Sequence, residues 1–124
     1  MSFIKFLIVF VGGGLGSSLR YLLAQVLITR SLWGVPLSTL TANLLASFIL
    51  GIVWVSDMRD KQSETFVFMA SGFCGGLSTF STFAQENVLI WERLGWLPML
   101  INILFNVILC TLTAFLITRY VGAA

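Results

Sequence analysis

The residues that could act on a ligand sit where water should be scarce. The stretch GFCGGLSTFSTF, Gly72 to Phe83, interrupts an apolar run with glycines and hydroxyls. Gly72, Gly75 and Gly76 weaken a helix, and Ser78, Thr79, Ser81 and Thr82 can recapture the backbone groups that a break would free. A broken membrane helix exposes carbonyls at one half-helix end, which suit a cation, and amides at the other, which suit an anion. The alternative is an unbroken helix whose glycines serve close packing. Phe80 and Phe83 are three apart and share a helical face. Aromatic rings carry a positive edge, so two edges at that spacing could flank a small anion; the ordinary use of such rings is lipid or core contact.

Three further side chains have polar chemistry inside apolar segments. The Asn43 amide offers two N–H donors and a carbonyl, for a pore or for interhelical bonding. Arg20 either snorkels to the interface or lines a water-filled vestibule that draws anions. Glu86 is a candidate proton-coupling carboxylate, though its place toward the end of its segment suggests an interfacial location. Enzymatic chemistry finds little support. There is no histidine, and no base is evidently placed to activate the many hydroxyls. The glycine run lacks the Lys-Ser or Lys-Thr of a phosphate loop, and Ser17 spoils the dinucleotide fingerprint. Asp57, Asp60 and Glu64 read as a solvated loop. Cys74 and Cys110 read as small buried hydrophobes rather than a disulfide framework.

What must position these residues is set by composition. The 124-residue chain is 58% hydrophobic and 10% charged, against about 25% charged in soluble domains. It is therefore a membrane protein of one domain, residues 1–124. A net charge of +2, with no basic patch among the aromatics, gives no support for nucleic-acid binding. Four apolar segments, at about 3–28, 37–56, 65–91 and 97–120, each reach the roughly 20 residues a spanning helix needs. The first continues past its glycines without a cleavage site and reads as a retained span. Trp33, Trp54, Trp91 and Trp96 fall near segment ends, as interfacial indoles do. Lys5, Arg59, Lys61 and Arg119 lie on one side of the membrane and Arg30 and Arg93 on the other, a weak bias that favours a cytoplasmic location for the first side.

Every segment also carries small or polar residues in clusters. Gly12 and Gly16, Gly13 and Ser17, and Gly14 and Ser18 are four apart, the spacing of close helix contact in lipid. Thr39, Asn43 and Ser47 share a face in the second segment, and Asn102, Asn106 and Cys110 share one in the fourth. Four helices that bury such faces in one another can hardly also enclose a pathway, so a homodimer or larger assembly is expected.

These motifs carry a resemblance. GGGLGSSLRY, STLTANLLASFILG and GFCGGLSTFSTF resemble the three signatures of the Fluc (CrcB-type) family of bacterial fluoride channels, and size and four-span layout agree. Ala46 stands where that family commonly has glycine, and Ser78 where it commonly has threonine. The resemblance implies an all-α integral membrane protein of the bacterial inner membrane, with four transmembrane helices. The third would be broken near its middle, and the assembly would be an antiparallel, dual-topology homodimer. It implies passive, selective export of fluoride, protecting the cell, through two pathways per dimer. Asn43 would be the pore amide, Phe80 and Phe83 the ring-edge contacts and Arg20 the vestibule cation. Thr39, Ser81 and Thr82 would extend a polar track. A structural Na⁺ on the twofold axis would be held by backbone carbonyls of Gly75 and Ser78 from both subunits. A proton-coupled exporter of cationic drugs shares the size and layout but wants an early membrane carboxylate, which the first segment lacks. A non-transporting assembly subunit is the third class.

Overall fold

Four apolar runs become four membrane-length helices in the computed structural model, which describes residues 2–32, 34–56 and 60–123. The placements expected for Trp33, Asp57 and Arg59 fall outside the described residues. Helix α1 spans Phe3–Val26, α2 Leu37–Ser56 and α6 Trp96–Tyr120. The third span, Glu64–Leu94, is composite. It opens with α3 (Glu64–Phe66), widens into a π-helix over Val67–Cys74 and closes its first half with α4 (Gly75–Leu77). After Ser78 and Thr79 it resumes as α5 (Phe80–Leu94).

The connections are short and locally specified. Between α1 and α2, strands β1 (Ser31–Leu32) and β2 (Val35–Pro36) pair antiparallel. Gly34 takes a φ of +83° there, a region open to glycine at little cost. Ser63 caps the third span, its hydroxyl accepting the Phe66 amide at 3.1 Å. Gly95, at φ +95°, makes the tight corner into α6. At one end of the bundle Lys5 Nζ donates to Gln62 Oε1 at 3.3 Å, tying the start of α1 to the loop before α3. Lys61 Nζ sits 3.4 Å from the centroid of the Trp54 ring, an ammonium over an aromatic face at the expected interface.

Helix α1 packs on the first half of the third span, and α2 packs on α6. The first contact is backbone against backbone. A Cβ on Gly16 would run into the Phe73 carbonyl oxygen, and one on Gly76 into the Gly13 carbonyl oxygen. Gly12 similarly faces Phe68 and Gly72. The four-residue small spacing in α1 therefore works as expected at Gly12 and Gly16, whereas a Cβ on Gly13 would make an ordinary contact at 3.9 Å and Gly14 faces open space. Ala42, Ala46, Cys74 and Leu77 form the small buried core where α2 meets this pair. Most large apolar side chains, Phe10, Leu22, Leu104 and Phe115 among them, point outward, as a lipid-solvated bundle requires.

A direct prediction follows from the α1 contact. Gly16→Ala should destabilise by roughly 1–3 kcal/mol, because backbone cannot yield as a side chain can. Gly14→Ala should be neutral or gain up to about 1 kcal/mol in helix propensity. Thermal midpoints of the detergent-solubilised protein separate the two, and equal midpoints would contradict the packing described.

Candidate functional site

The break in the third span is built by competition for backbone groups. Ser78 (ψ 155°) and Thr79 (φ −149°, ψ 123°) are extended. The Ser78 amide and hydroxyl both donate to the Cys74 carbonyl at 2.9 Å, ending the first half. The Thr79 hydroxyl accepts the Thr82 amide at 3.2 Å and so caps α5. The Thr79 amide donates to Asn43 Oδ1 at 2.8 Å. Asn43 Nδ2 returns a long bond of 3.4 Å to the Thr79 carbonyl, and another of 3.4 Å to Asn106 Oδ1. Asn43 thus works like an inserted peptide group. Its acceptor end is held firmly and its donor end loosely, which leaves N–H capacity for a ligand.

The glycines are not what breaks the helix. Gly72, Gly75 and Gly76 all lie in helical backbone, and Gly72 and Gly76 meet α1 at close range. The break falls two residues later, where a side-chain amide from α2 offers the Thr79 amide a better acceptor.

Two cavities meet at the break. The first, of about 270 Å³, is lined by Asn43, Phe80, Phe83, Thr79, Asn106 and Cys110 among others. The phenylalanine centroids lie 5.8 Å apart with their planes tilted by 57°. Phe83 is buried, whereas Phe80 is 79% exposed on the outer face of the chain. The second cavity, of about 160 Å³, is lined by Arg20, Thr39, Thr82, Glu86 and Ser38. Thr79 borders both, so the break is their shared wall. Of the expected residues, Asn43, Phe80 and Phe83 come together in one cavity and Arg20, Thr39 and Thr82 in the other. Ser81 lines neither, but its hydroxyl lies 3.4 Å from that of Thr79.

Arg20 turns inward. Its Nε donates at 3.1 Å to the Gly76 carbonyl, which also receives the Ser17 hydroxyl at 3.4 Å. A cation thereby offsets the carbonyl end of the first half-helix, while the positive amide end of α5 opens beside the cavities. Glu86 is half-buried and turned toward the start of α2. Its Oε1 accepts the Thr39 hydroxyl at 2.6 Å, and its Oε2 is buried with no partner among the described residues. Thr39→Val should therefore cost about 1–3 kcal/mol, because it strips this carboxylate of the bond it has, while Thr39→Ser should cost much less. Unfolding midpoints of the two variants check this, and indistinguishable midpoints would contradict it.

Gly75 and Ser78 fit a cation that asks for carbonyl oxygens. Both residues are exposed on one outer face of the chain. In an unbroken helix their carbonyls would take the amides of Thr79 and Thr82. Those amides go instead to Asn43 and to the Thr79 hydroxyl. Cys74 is buried and free as expected, but Cys110 is only half-buried and lines the first cavity.

The matches to known proteins carry this further. The family model described as CrcB-like protein, Camphor Resistance (CrcB), matches residues 7–118. The chain belongs to this family. Curated relatives of this CrcB-like chain carry the name fluoride-specific ion channel FluC. One from Escherichia coli K12 is 43% identical over 106 residues, covering 82% of this chain and 81% of the relative. Others, from Shigella boydii serotype 18 and Salmonella arizonae, are each 42% identical with the same coverage. The CrcB-like fold is thus a four-span membrane protein with a broken third helix, in line with the sequence reading.

Three CrcB-like features escaped sequence reasoning as functional. Asn106 borders the first cavity and bonds Asn43, although only its shared face with Asn102 and Cys110 was legible. Ser47 Oγ donates to the Asn43 carbonyl at 2.8 Å, steadying the turn that carries the amide. Asn87, on α5, joins the buried amides of α6, and no local spacing signals it.

Proposed function

We propose that this chain is a fluoride-selective channel of the bacterial inner membrane that lets the toxic anion leave passively. The observation that carries the reading is the break at Ser78–Thr79. There the loosely held Asn43 donor end and the start of α5 face a cavity flanked by Phe80 and Phe83. Fluoride is small and strongly hydrated, so entry needs substitute donors, and exit needs each of them to be weak. An amide N–H, hydroxyls and ring edges are neutral, graded donors of that kind. Arg20, on the far side of the break, draws anions without sitting in the narrowest part. Thr39, Ser81 and Thr82 supply hydroxyls along the way. No nucleotide and no coupled proton enters this account.

The working unit is a homodimer. Ser78, Ser81 and Phe80 are exposed on the single chain near the middle of the third span. Lipid cannot satisfy the carbonyls freed by the break at that depth, and a second copy can shield them from it. Lys5, Arg59, Lys61 and Arg119 at one end against Arg30 and Arg93 at the other give only a weak charge bias, which is compatible with insertion both ways and an antiparallel pair. The Gly75 and Ser78 carbonyls of both copies would hold a Na⁺ on the twofold axis. When bound, that ion would supply fixed positive charge beside the break.

Expression in bacteria lacking their own fluoride exporter tests the reading. Growth in millimolar fluoride should be restored by this chain and not by an Asn43→Asp variant made at the same level. Equal growth with both, or with neither, would contradict it.

A further inference from the structure

The buried asparagines of the third and fourth spans form a chain that leads to the break. Asn102 Nδ2 donates to Asn87 Oδ1 at 2.8 Å. Asn106 Nδ2 donates at 3.1 Å to Asn102 Oδ1, and at 3.1 Å to the Asn102 carbonyl. Asn43 Nδ2 donates to Asn106 Oδ1, and Asn43 Oδ1 accepts the Thr79 amide. Apart from the long bond that Asn43 Nδ2 returns to the Thr79 carbonyl, the amide groups donate in one direction, away from the break. Asn102 is 0% exposed and lines neither cavity that borders the break.

This directionality has a physical use. The two ends of a side-chain amide are nearly equal in shape, so packing cannot choose between them and hydrogen bonds must. If Asn106 turned over, its N–H₂ would face the N–H₂ of Asn43. Asn43 would then turn as well, releasing the Thr79 amide and presenting a carbonyl oxygen to an arriving anion. The Asn102 backbone carbonyl opposes this, and the Asn102 side chain adds to it by accepting from Asn106 while its own donor is fixed on Asn87. We propose that Asn102 is a positioning residue, which sets the direction of a four-amide relay and so aims the Asn43 donor into the ion pathway. The proposal rests on the channel reading above.

The relay sets the fraction of molecules with Asn43 correctly aimed, and apparent affinity falls in proportion to that fraction. Asn102→Leu removes the side-chain acceptor and leaves the backbone one. It should raise the half-saturating fluoride concentration roughly fivefold, the worth of one hydrogen bond, while maximal flux per dimer changes less. Asn102→Asp keeps an acceptor toward Asn106 and should stay close to the unaltered chain. A role in packing alone predicts the opposite, since leucine fills a similar volume and misfolding lowers maximal flux without moving half-saturation.

The test is fluoride flux against fluoride concentration in liposomes holding equal amounts of purified dimer. An unmoved half-saturation in Asn102→Leu, or an Asn102→Asp that shifts equally, overturns the relay. If Asn102→Leu does not assemble, Asn87→Leu and Asn87→Asp take the same measurements at the far end of the chain, with the same expected contrast. Failure of both leucine variants to assemble would make the amides a folding element and overturn the proposal too. The unaltered chain in the same liposomes keeps the two readings apart. Its failure to pass fluoride defeats the channel, whereas its success with an unmoved Asn102→Leu defeats only the relay.

Discussion

Asn43→Asp is expected to keep its bond to the Thr79 amide and to pass fluoride about a hundredfold more slowly. The structural bond at the break needs only an acceptor, because the Thr79 amide donates to Asn43 Oδ1 at 2.8 Å. A carboxyl oxygen serves that role equally well. What aspartate lacks is the amide N–H₂, whose two existing bonds are both 3.4 Å and weak. A hydrogen bond to a charged group contributes about 1.5–3 kcal/mol, so losing it and adding negative charge accounts for roughly two powers of ten. Asn43→Leu should suffer twice. It loses the donor, and it also strands the Thr79 amide in the break, which costs about 1–3 kcal/mol of stability. Flux assays and thermal midpoints on the two variants separate the duties of the two ends of one side chain. An Asn43→Asp protein that conducts normally would remove the amide from the pathway.

Phe80→Ile is expected to cut fluoride flux roughly tenfold while leaving the single chain as stable as before. Phe80 is 79% exposed, so its ring adds little to the packing of its own chain. Its edge therefore serves either the pathway or the partner subunit. An aromatic edge contact beyond simple burial is worth about 0.5–1.5 kcal/mol, which near its upper end is the tenfold predicted. Phe83→Ile is the less clean experiment. That ring is buried, and shrinking it leaves a cavity that costs about 1 kcal/mol or more of stability alongside any loss of flux. The dimer should persist in Phe80→Ile by size-exclusion chromatography. Unchanged flux in an intact dimer would take that ring out of the mechanism.

The four spans were legible because hydropathy over twenty residues leaves few alternatives in so apolar a chain. The close approach of α1 was legible for the same reason, since four-residue glycine spacing has one main use in lipid. The location of the break was not. Local composition points to Gly72, Gly75 and Gly76, but those residues are helical, and the chain leaves the helix at Ser78 and Thr79. What decides the matter is Asn43, which lies on another helix and captures the Thr79 amide. No local pattern carries that information. Phe80 and Phe83 illustrate the same limit. Their spacing predicts a shared face and a shared cavity, which they have, but not that one ring is buried and the other exposed. The distance of Glu86 from its segment end says nothing about which neighbour it meets. The Thr39 hydroxyl draws it inward. The fourth span showed its asparagine face in the sequence, yet the partner that gives the face a purpose, Asn87, is on α5.

The most direct measurement is anion efflux from liposomes that hold the purified protein, with a potassium ionophore to carry the balancing charge and electrodes for fluoride and chloride. Rapid fluoride release that depends on the ionophore, with chloride retained, is the predicted result. Chloride release at a rate equal to that of fluoride, or no fluoride release from liposomes shown to contain folded protein, would contradict the account.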